Sequence, residues 1–257
     1  MNIAIITQDD PFYLGRSLDY FFNKLPENIC VAGIVILEAS PFGKPESFLK
    51  RIIRAFNVFG LKFFLRYSYK YILSKYFFRE YLVSSVLKKY DIRNIRLPNK
   101  NINSSESIKT LNNYNLDLVI SISCNQIFRK KLLKLPKVGC LNLHTALLPN
   151  YKGLMPTFWA LRNGEREIGV SIFFMDEGID TGDILIQKII SIENNDTLES
   201  LIEKTKIAGM DALVEAINLI KRGNYKTVRF SPDEGTYYSF PTKTDVKEFR
   251  RAGKRFW

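Results

Sequence analysis

Four short apolar runs constrain this chain more than any other feature. They are Asn2-Ile3-Ala4-Ile5-Ile6-Thr7, Val31-Ala32-Gly33-Ile34-Val35-Ile36-Leu37, Asp117-Leu118-Val119-Ile120-Ser121-Ile122 and Gly139-Cys140-Leu141-Asn142-Leu143-His144. Each reads as a short strand. Helical signals lie between them. Pro11 suits the first position of a helix after the first strand. A helix is expected over residues 107–113 and a short one over 128–135. Strands alternating with helices predict an α/β fold with a doubly wound, mostly parallel sheet. Further on, Pro156 opens a helix that Asn163-Gly164 closes. Asp196-Thr197-Leu198-Glu199 is a capping-box-like start for a long amphipathic helix ending at Gly223. The expected organisation is one domain over residues 1–223 and a short, irregular C-terminal extension over 224–257.

The chain has 257 residues, of which 46% are hydrophobic, enough for one large domain with a real core. Cys30, Cys124 and Cys140 lie in apolar runs without CxxC spacing. They read as buried thiols of a reducing compartment, not as a disulfide or zinc set. The first strand begins at Asn2, which leaves no room for a signal peptide, and no uncharged run reaches the length of a membrane span. The expected location is cytoplasmic. After the first strand the chain reads Gln8-Asp9-Asp10-Pro11-Phe12-Tyr13, without the glycine-rich dinucleotide fingerprint. A nicotinamide cofactor is therefore disfavoured, although the sheet type permits one.

Chemistry concentrates in two places. Asn142 and His144, the only histidine, are two residues apart just before Leu147-Leu148-Pro149. Alternate strand residues share a face, so the two side chains project together near the carboxyl end of their strand. In an open parallel sheet that end is where ligands sit. A lone histidine is ordinarily a satisfied core residue. The amide partner, the Leu-Leu-Pro stop and a second polar cluster favour chemistry here. That cluster, Met175 to Leu185, lies between two strand-like runs and holds four acids, two glycines and a threonine. It is longer than a plain hairpin turn. It also lacks the alternation of a calcium loop, so no metal is expected.

Together these segments resemble the folate-dependent formyltransferases, which move a formyl group from 10-formyltetrahydrofolate to an amine. The family pattern runs roughly Asn-x-His-x-Ser-Leu-Leu-Pro, then an aromatic, a basic residue or proline, and Gly. A catalytic Asp follows inside an acidic loop. On this chain the match gives Asn142, His144 and Asp180, with Thr145 and Ala146 as mild departures. It covers residues 117–190 firmly and 1–36 more weakly. The resemblance implies that Asn142 and a protonated or polarised His144 donate to the negative oxygen of a tetrahedral intermediate. Asp180 would take or relay the proton that the amine loses and the folate nitrogen gains. No covalent enzyme intermediate is required. Cys140 shares the face of Asn142, so a thiol nucleophile stays open, ranked below a core thiol.

The resemblance also implies a folate slot between Gln126, Ile127 and Phe128 on one side and Phe174, Asp176, Glu177, Gly178 and Ile179 on the other. It places the acceptor near Gln8, Asp9 and Asp10 and near Tyr151 and Lys152. Tyr151-Lys152-Gly153 resembles the Tyr-Arg-Gly of tRNA and sugar formyltransferases more than the Tyr-Pro-Gly of the purine-pathway enzyme. The initiator-tRNA enzyme usually carries a C-terminal barrel domain, for which residues 224–257 are too few. The implied acceptor is the amine of a nucleotide-linked amino sugar. The alternatives are a methionyl-tRNA-type or other small-amine formyltransferase, and a non-catalytic folate- or membrane-binding relative.

The segment Phe48 to Arg79 carries eight Lys or Arg and no acid, interleaved with aromatic and aliphatic residues. It reads as one or two helices, broken near Asn57 or Gly60, within an insert over about 46–90. Lys50, Arg51 and Arg54, and then Lys62, Arg66 and Lys70, can each share a helical face. The first reading is a helical excursion outside the cleft, its aromatics packed on the domain and its charges solvated. The second is peripheral contact with an anionic membrane. The third is a nucleic acid or an anionic nucleotide-linked substrate. The net charge of +12 fits all three, and nucleic acid is the least favoured partner. The aromatics are too many to be left in water, so the domain, a second copy in a homodimer, or a membrane should cover them.

Overall fold

A computed structural model describes residues 1–38 and 47–257; the start of the insert near residue 46 lies outside them. Along the chain, β1 (Asn2–Gln8), α1 (Leu14–Lys24) and β2 (Cys30–Leu37) are followed by the insert. The insert comprises α2 (Phe48–Phe59), α3 (Leu61–Tyr76), a 3-10 turn at Arg79–Tyr81 and α4 (Val83–Lys89). Next come α5 (Ser105–Asn112), β3 (Leu118–Ile122), the single turn α6 (Lys130–Leu133) and β4 (Gly139–His144). A two-residue β5 (Lys152–Gly153) precedes α7 (Pro156–Asn163). A hairpin of β6 (Glu167–Phe174) and β7 (Ile184–Ser191) leads to α8 (Leu198–Arg222), β8 (Tyr237–Tyr238) and α9 (Lys243–Arg251).

The main sheet has the order β2-β1-β3-β4-β6-β7. Its first four strands are mutually parallel, and the hairpin adds β6 antiparallel to β4 and β7 antiparallel to β6. The mostly parallel α/β class expected from the strand runs holds. Helices cover both faces, which is why Ile3 to Ile6 are apolar without alternation and wholly buried. On one face Leu14, Leu18 and Phe21 of α1 and Leu213 and Ile217 of α8 pack on Ile3, Ile5 and Leu141. On the other, Leu111, Phe128 and Leu132 pack on Ala4, Val119 and Cys140. Each of the leucine, isoleucine and phenylalanine side chains among them stabilises the fold by about 1.5–3 kcal/mol.

Several boundaries differ from the sequence reading, the start of α5 by two residues. Helix α1 starts at Leu14, not Pro11, because Asp10 Oδ1 accepts the backbone N–H of Phe12 and Tyr13 and holds a turn there. Helix α6 is one turn, since Phe128 packs into the core before the helix can begin. The extension is irregular only in part, since it carries β8 and α9. Thr242 and Asp245 form a capping box for α9, whose Val246 and Phe249 bury against Phe158 and Phe256.

The insert breaks at Gly60, whose φ of 82° lies in the left-handed region that favours glycine. Phe63 of α3 stacks on Phe59 at 4.4 Å and on Tyr67 at 4.2 Å, and it meets Phe256 edge-on. The charges of α3 are not all solvated, as the first reading of the insert expected. Arg66 and Lys70 reach Glu199 at the start of α8 at 3.1 and 3.0 Å. Burial alone would raise the Glu199 carboxyl, but the hydrogen bonds from Arg66 and Lys70 outweigh it and hold it below its usual range. Nor are all the aromatics covered: Tyr69, Tyr76, Phe77 and Phe78 are exposed.

Candidate active site

Strand β4 fixes the first two polar groups. Leu141 and Leu143 enter the core on one face, and Cys140, Asn142 and His144 share the other. The pairing of β4 with β6 sets Asn142 opposite Phe173 and brings the loop between β6 and β7 alongside. Asp180 sits in that loop at φ 54°, a left-handed conformation that Asp tolerates better than most residues.

Its carboxylate is the hub of the site. Oδ2 accepts the backbone N–H of Gly153 at 2.8 Å and lies 3.6 Å from His144 Nδ1. Oδ1 accepts from Asn142 Nδ2 at 3.5 Å. His144 Nε2 lies 2.8 Å from the carbonyl of Tyr151, which can only accept, so Nε2 carries the proton. A second donor at Nδ1, facing Asp180, then requires the imidazolium form. Gly153 is itself required. Its φ is 94°, and a Cβ there would meet the carbonyl of Tyr238 at 2.3 Å. Asp176 organises the loop by accepting from Gly178 N at 2.9 Å and Thr181 Oγ1 at 2.7 Å.

These groups open onto a cleft of about 410 Å³ at the carboxyl ends of the strands, within the usual range for a small-molecule site. Of the expected folate contacts, Gln126, Ile127, Phe128, Asp176, Gly178 and Ile179 line it. Ile127 is 37% exposed, an apolar surface held open beside Met175 and Ile179. Such a slot fits a flat, partly apolar ring. The Gln126 side chain is occupied by Ile102 N and Lys100 O, and its backbone N–H and carbonyl each lie 3.5 Å from Cys124 Sγ.

Phe174 and Glu177 do not line the cleft. Strand alternation turns Phe174 outward, against Tyr225, and puts Phe173 on the cleft wall instead. Glu177 is exposed on the loop.

On the expected acceptor side, Gln8 and Asp10 line the cleft, whereas Asp9 does not. Lys152 does not reach the cleft. Its Nζ is buried and donates to the carbonyls of Pro232 and Glu234 at 2.7 and 2.8 Å, so it anchors the C-terminal segment and is turned away from the cleft. Tyr151 contributes only its carbonyl. Its ring stacks on Tyr238, and burial together with Glu165 pushes its hydroxyl up to about 12.

The sequence reading missed Lys206. From the middle of α8 its Nζ donates to Ser123 Oγ at 3.2 Å and lies 4.0 Å from Asp10 Oδ2. Burial lowers its pKa below that of an ordinary lysine, against the pull of Asp10. Tyr13, on the same wall, shares a 3.0 Å hydrogen bond with Tyr67 of the insert. No local motif marks Lys206, which sits in an amphipathic run like any helical lysine.

Cys140 is buried beside the carbonyls of Leu132 and Leu133, and burial pushes its thiol up to about 12. Burial likewise pushes Cys124 up to about 11. Neither environment makes a thiolate nucleophile.

An amide, an imidazole and a carboxylate meet where parallel strands end, a set of donors and a base of the kind that group transfer uses. The chain belongs to the formyl transferase family, whose pattern it matches over residues 71–217. A methionyl-tRNA formyltransferase of Thermodesulfovibrio yellowstonii is 44% identical over 116 residues, which is 45% of this chain and 38% of that protein. The chain spans about half the length of the curated relatives it matches. Among solved structures, phosphoribosylglycinamide formyltransferase from Anaplasma phagocytophilum superposes with a TM-score of 0.64 at 16% identity, covering 93% of this chain and 99% of that one. The N-formyltransferase from Helicobacter canadensis, in complex with folinic acid and dTDP-3-aminofucose, gives 0.57 at 18% identity, covering 97% and 79%. At these identities the likeness establishes the shared fold.

Proposed function

We propose that the protein is an N-formyltransferase that moves a formyl group from 10-formyltetrahydrofolate to a primary amine, that of a nucleotide-linked amino sugar. The convergence of Asn142 and His144 on the Asp180 carboxylate carries this reading. The formyl donor supplies an activated one-carbon unit. Asn142 turns one N–H toward Asp180, and its second can meet the formyl oxygen as that atom gains charge. His144, when doubly protonated, offers Nδ1–H to the same oxygen, with Nε2–H held on Tyr151. Donors fixed before the reaction stabilise developing charge without reorganising. Asp180 Oδ1 takes the proton the attacking amine sheds as its C–N bond forms, and returns it to the departing folate nitrogen. The catalytic unit in this reading is residues 1–223, with 224–257 packed on it.

The donor's ring would lie between Ile127 and the Met175–Ile179 wall. Gln8, Asp10 and Lys206 offer a mixed polar wall suited to a hydroxyl-bearing acceptor. A second reading, methionyl-tRNA as acceptor, is favoured by the names of the curated relatives, which are methionyl-tRNA formyltransferases.

The test incubates the protein and 10-formyltetrahydrofolate with nucleotide-linked amino sugars and, separately, with methionyl-tRNA, reading the mass of the product. One formyl gained by a sugar and none by the tRNA is expected. Transfer to the tRNA alone would install the second reading. Tetrahydrofolates should raise the melting temperature and nicotinamide dinucleotides should not. The reverse pattern would remove the folate site.

A further inference from the structure

Helix α3 has two apolar faces, and only one is used. Phe63 and Tyr67 pack inward, with Arg66 and Lys70 bonded to Glu199 beside them. On the far side, Leu61, Leu65, Tyr69, Ile72 and Tyr76 recur at intervals of four, four, three and four residues, which aligns them in one stripe. All five are between 49% and 65% exposed. Helix α2 repeats the pattern with Leu49, Ile53 and Phe56, also exposed. Phe56 meets Phe64 edge-on at 5.8 Å, joining the two helices. Phe77, the most exposed of these residues, and Phe78 prolong the surface beyond α3. An apolar area of this kind marks an interface.

Its rim says what covers it. Lys50 and Lys62 each follow the first residue of a stripe by one position, about 100° round the helix, and Lys75 stands one position before the last. All three are exposed, and no Asp or Glu occurs from residue 48 to 79.

We propose that the outer face of α2 and α3 docks on an anionic lipid surface, with the stripes in the acyl boundary and the lysines at the headgroups. Charge complementarity selects this occupant. A second copy pairing through the same face would bring like-charged rims together on a chain of net charge +12. Exposed tyrosines and phenylalanines suit the bilayer interface. Among the described residues no helix is long and apolar enough to cross a membrane, so the contact lies in the plane of the surface. No residue of α2 or α3 lines the cleft, so docking leaves both of its walls accessible and is independent of the formyl acceptor.

Cosedimentation of the full chain with vesicles of phosphatidylcholine, with and without phosphatidylserine, tests this. Binding is expected to phosphatidylserine vesicles at low salt, reversed by added salt. Replacing Lys50, Lys62 and Lys75 together by Gln should weaken it roughly a hundredfold. Leu65→Gln with Ile72→Gln should weaken it by roughly tenfold or more. All these positions are exposed, so melting temperatures should stay near that of the wild type. Absence of binding at low salt, equal binding to neutral vesicles, or variants that bind like the wild type would each overturn the proposal. So would a dimer in lipid-free solution that Leu65→Gln with Ile72→Gln splits into monomers without any loss of vesicle binding.

Discussion

The two walls of the cleft are assembled on opposite plans. One takes Asn142 and His144 from a single strand and Asp180 from the loop of the hairpin paired to it. Strand alternation and one antiparallel register bring these groups together. The other takes Asp10 from beyond β1, Tyr13 from the turn before α1 and Lys206 from the middle of α8. It is braced from outside by Tyr67, which bonds Tyr13, and by Glu199, which holds Arg66 and Lys70. Of that wall, Tyr13 is the residue that the insert holds in place. Short-range geometry therefore organises the groups suited to chemistry, and long-range packing organises the wall that the proposed function gives to the acceptor. The first should govern turnover and the second affinity.

The largest effects should come from the first wall. His144→Ala, Asn142→Ala and Asp180→Asn should each lower kcat by roughly a hundredfold or more while the protein stays folded, since they would remove a donor to developing charge or the proton relay. Asp180→Asn is preferred to Ala because its amide oxygen still accepts the Gly153 N–H, whose loss would cost about 1–3 kcal/mol. Near-normal kcat at saturating substrates in any of the three would remove that residue from the mechanism.

The same contrast explains what the sequence discloses. The strand runs, the break at Gly60 and the Asn142–His144–Asp180 grouping are local patterns, and the structure places them as the patterns suggest. Nothing local to Lys152 signals its burial, which depends on the carbonyls of Pro232 and Glu234, about eighty positions away. The run Phe173-Phe174 does not itself reveal which ring lies opposite Asn142; the register with β4 does. Helix α9 was hidden by the prolines and glycines around it, although Thr242 and Asp245 already form its capping box. Lys206 left no local trace at all.

The brace of the second wall can be tested by stability. Glu199→Gln should cost about 1–2 kcal/mol at neutral pH, less than a fully buried pair because the Arg66 guanidinium is more than a third exposed. The Glu199 carboxyl is held below its unfolded value, so its contribution is present above about pH 4.5 and is lost as pH falls through the folded pKa. Melting curves of wild type and variant should therefore converge in acid. An offset that persists in acid would mean that the carboxylate charge is not what braces the insert.

Lys206→Met sharpens the division between the walls. It should raise the acceptor KM by roughly tenfold and leave kcat nearly unchanged, the signature of lost uniform binding. Its folded pKa lies below the unfolded value of 10.5. The unfolded chain therefore gains its proton first as pH falls, and the charging cost to the folded state grows below about pH 10.5. The variant should gain stability relative to the wild type over that descent. A loss of kcat as large as that of His144→Ala would place Lys206 in the chemistry and dissolve the division.

The smallest effect is expected at Cys140, which shares the strand face of Asn142 and His144 yet should do no chemistry. With burial holding its thiol near 12, only about one molecule in 10⁵ carries the thiolate at neutral pH. Its Sγ is also directed at the carbonyls of Leu132 and Leu133 and away from the cleft. Cys140→Ala should keep the rate within about twofold and cost about 1 kcal/mol of stability from the small void it leaves. Single-turnover mass spectrometry of the wild type should show no formyl adduct on the protein. A trapped adduct at Cys140, or a rate lost with Cys140→Ala while the fold survives, would extend the chemical wall two residues down β4 and replace direct transfer with a covalent relay.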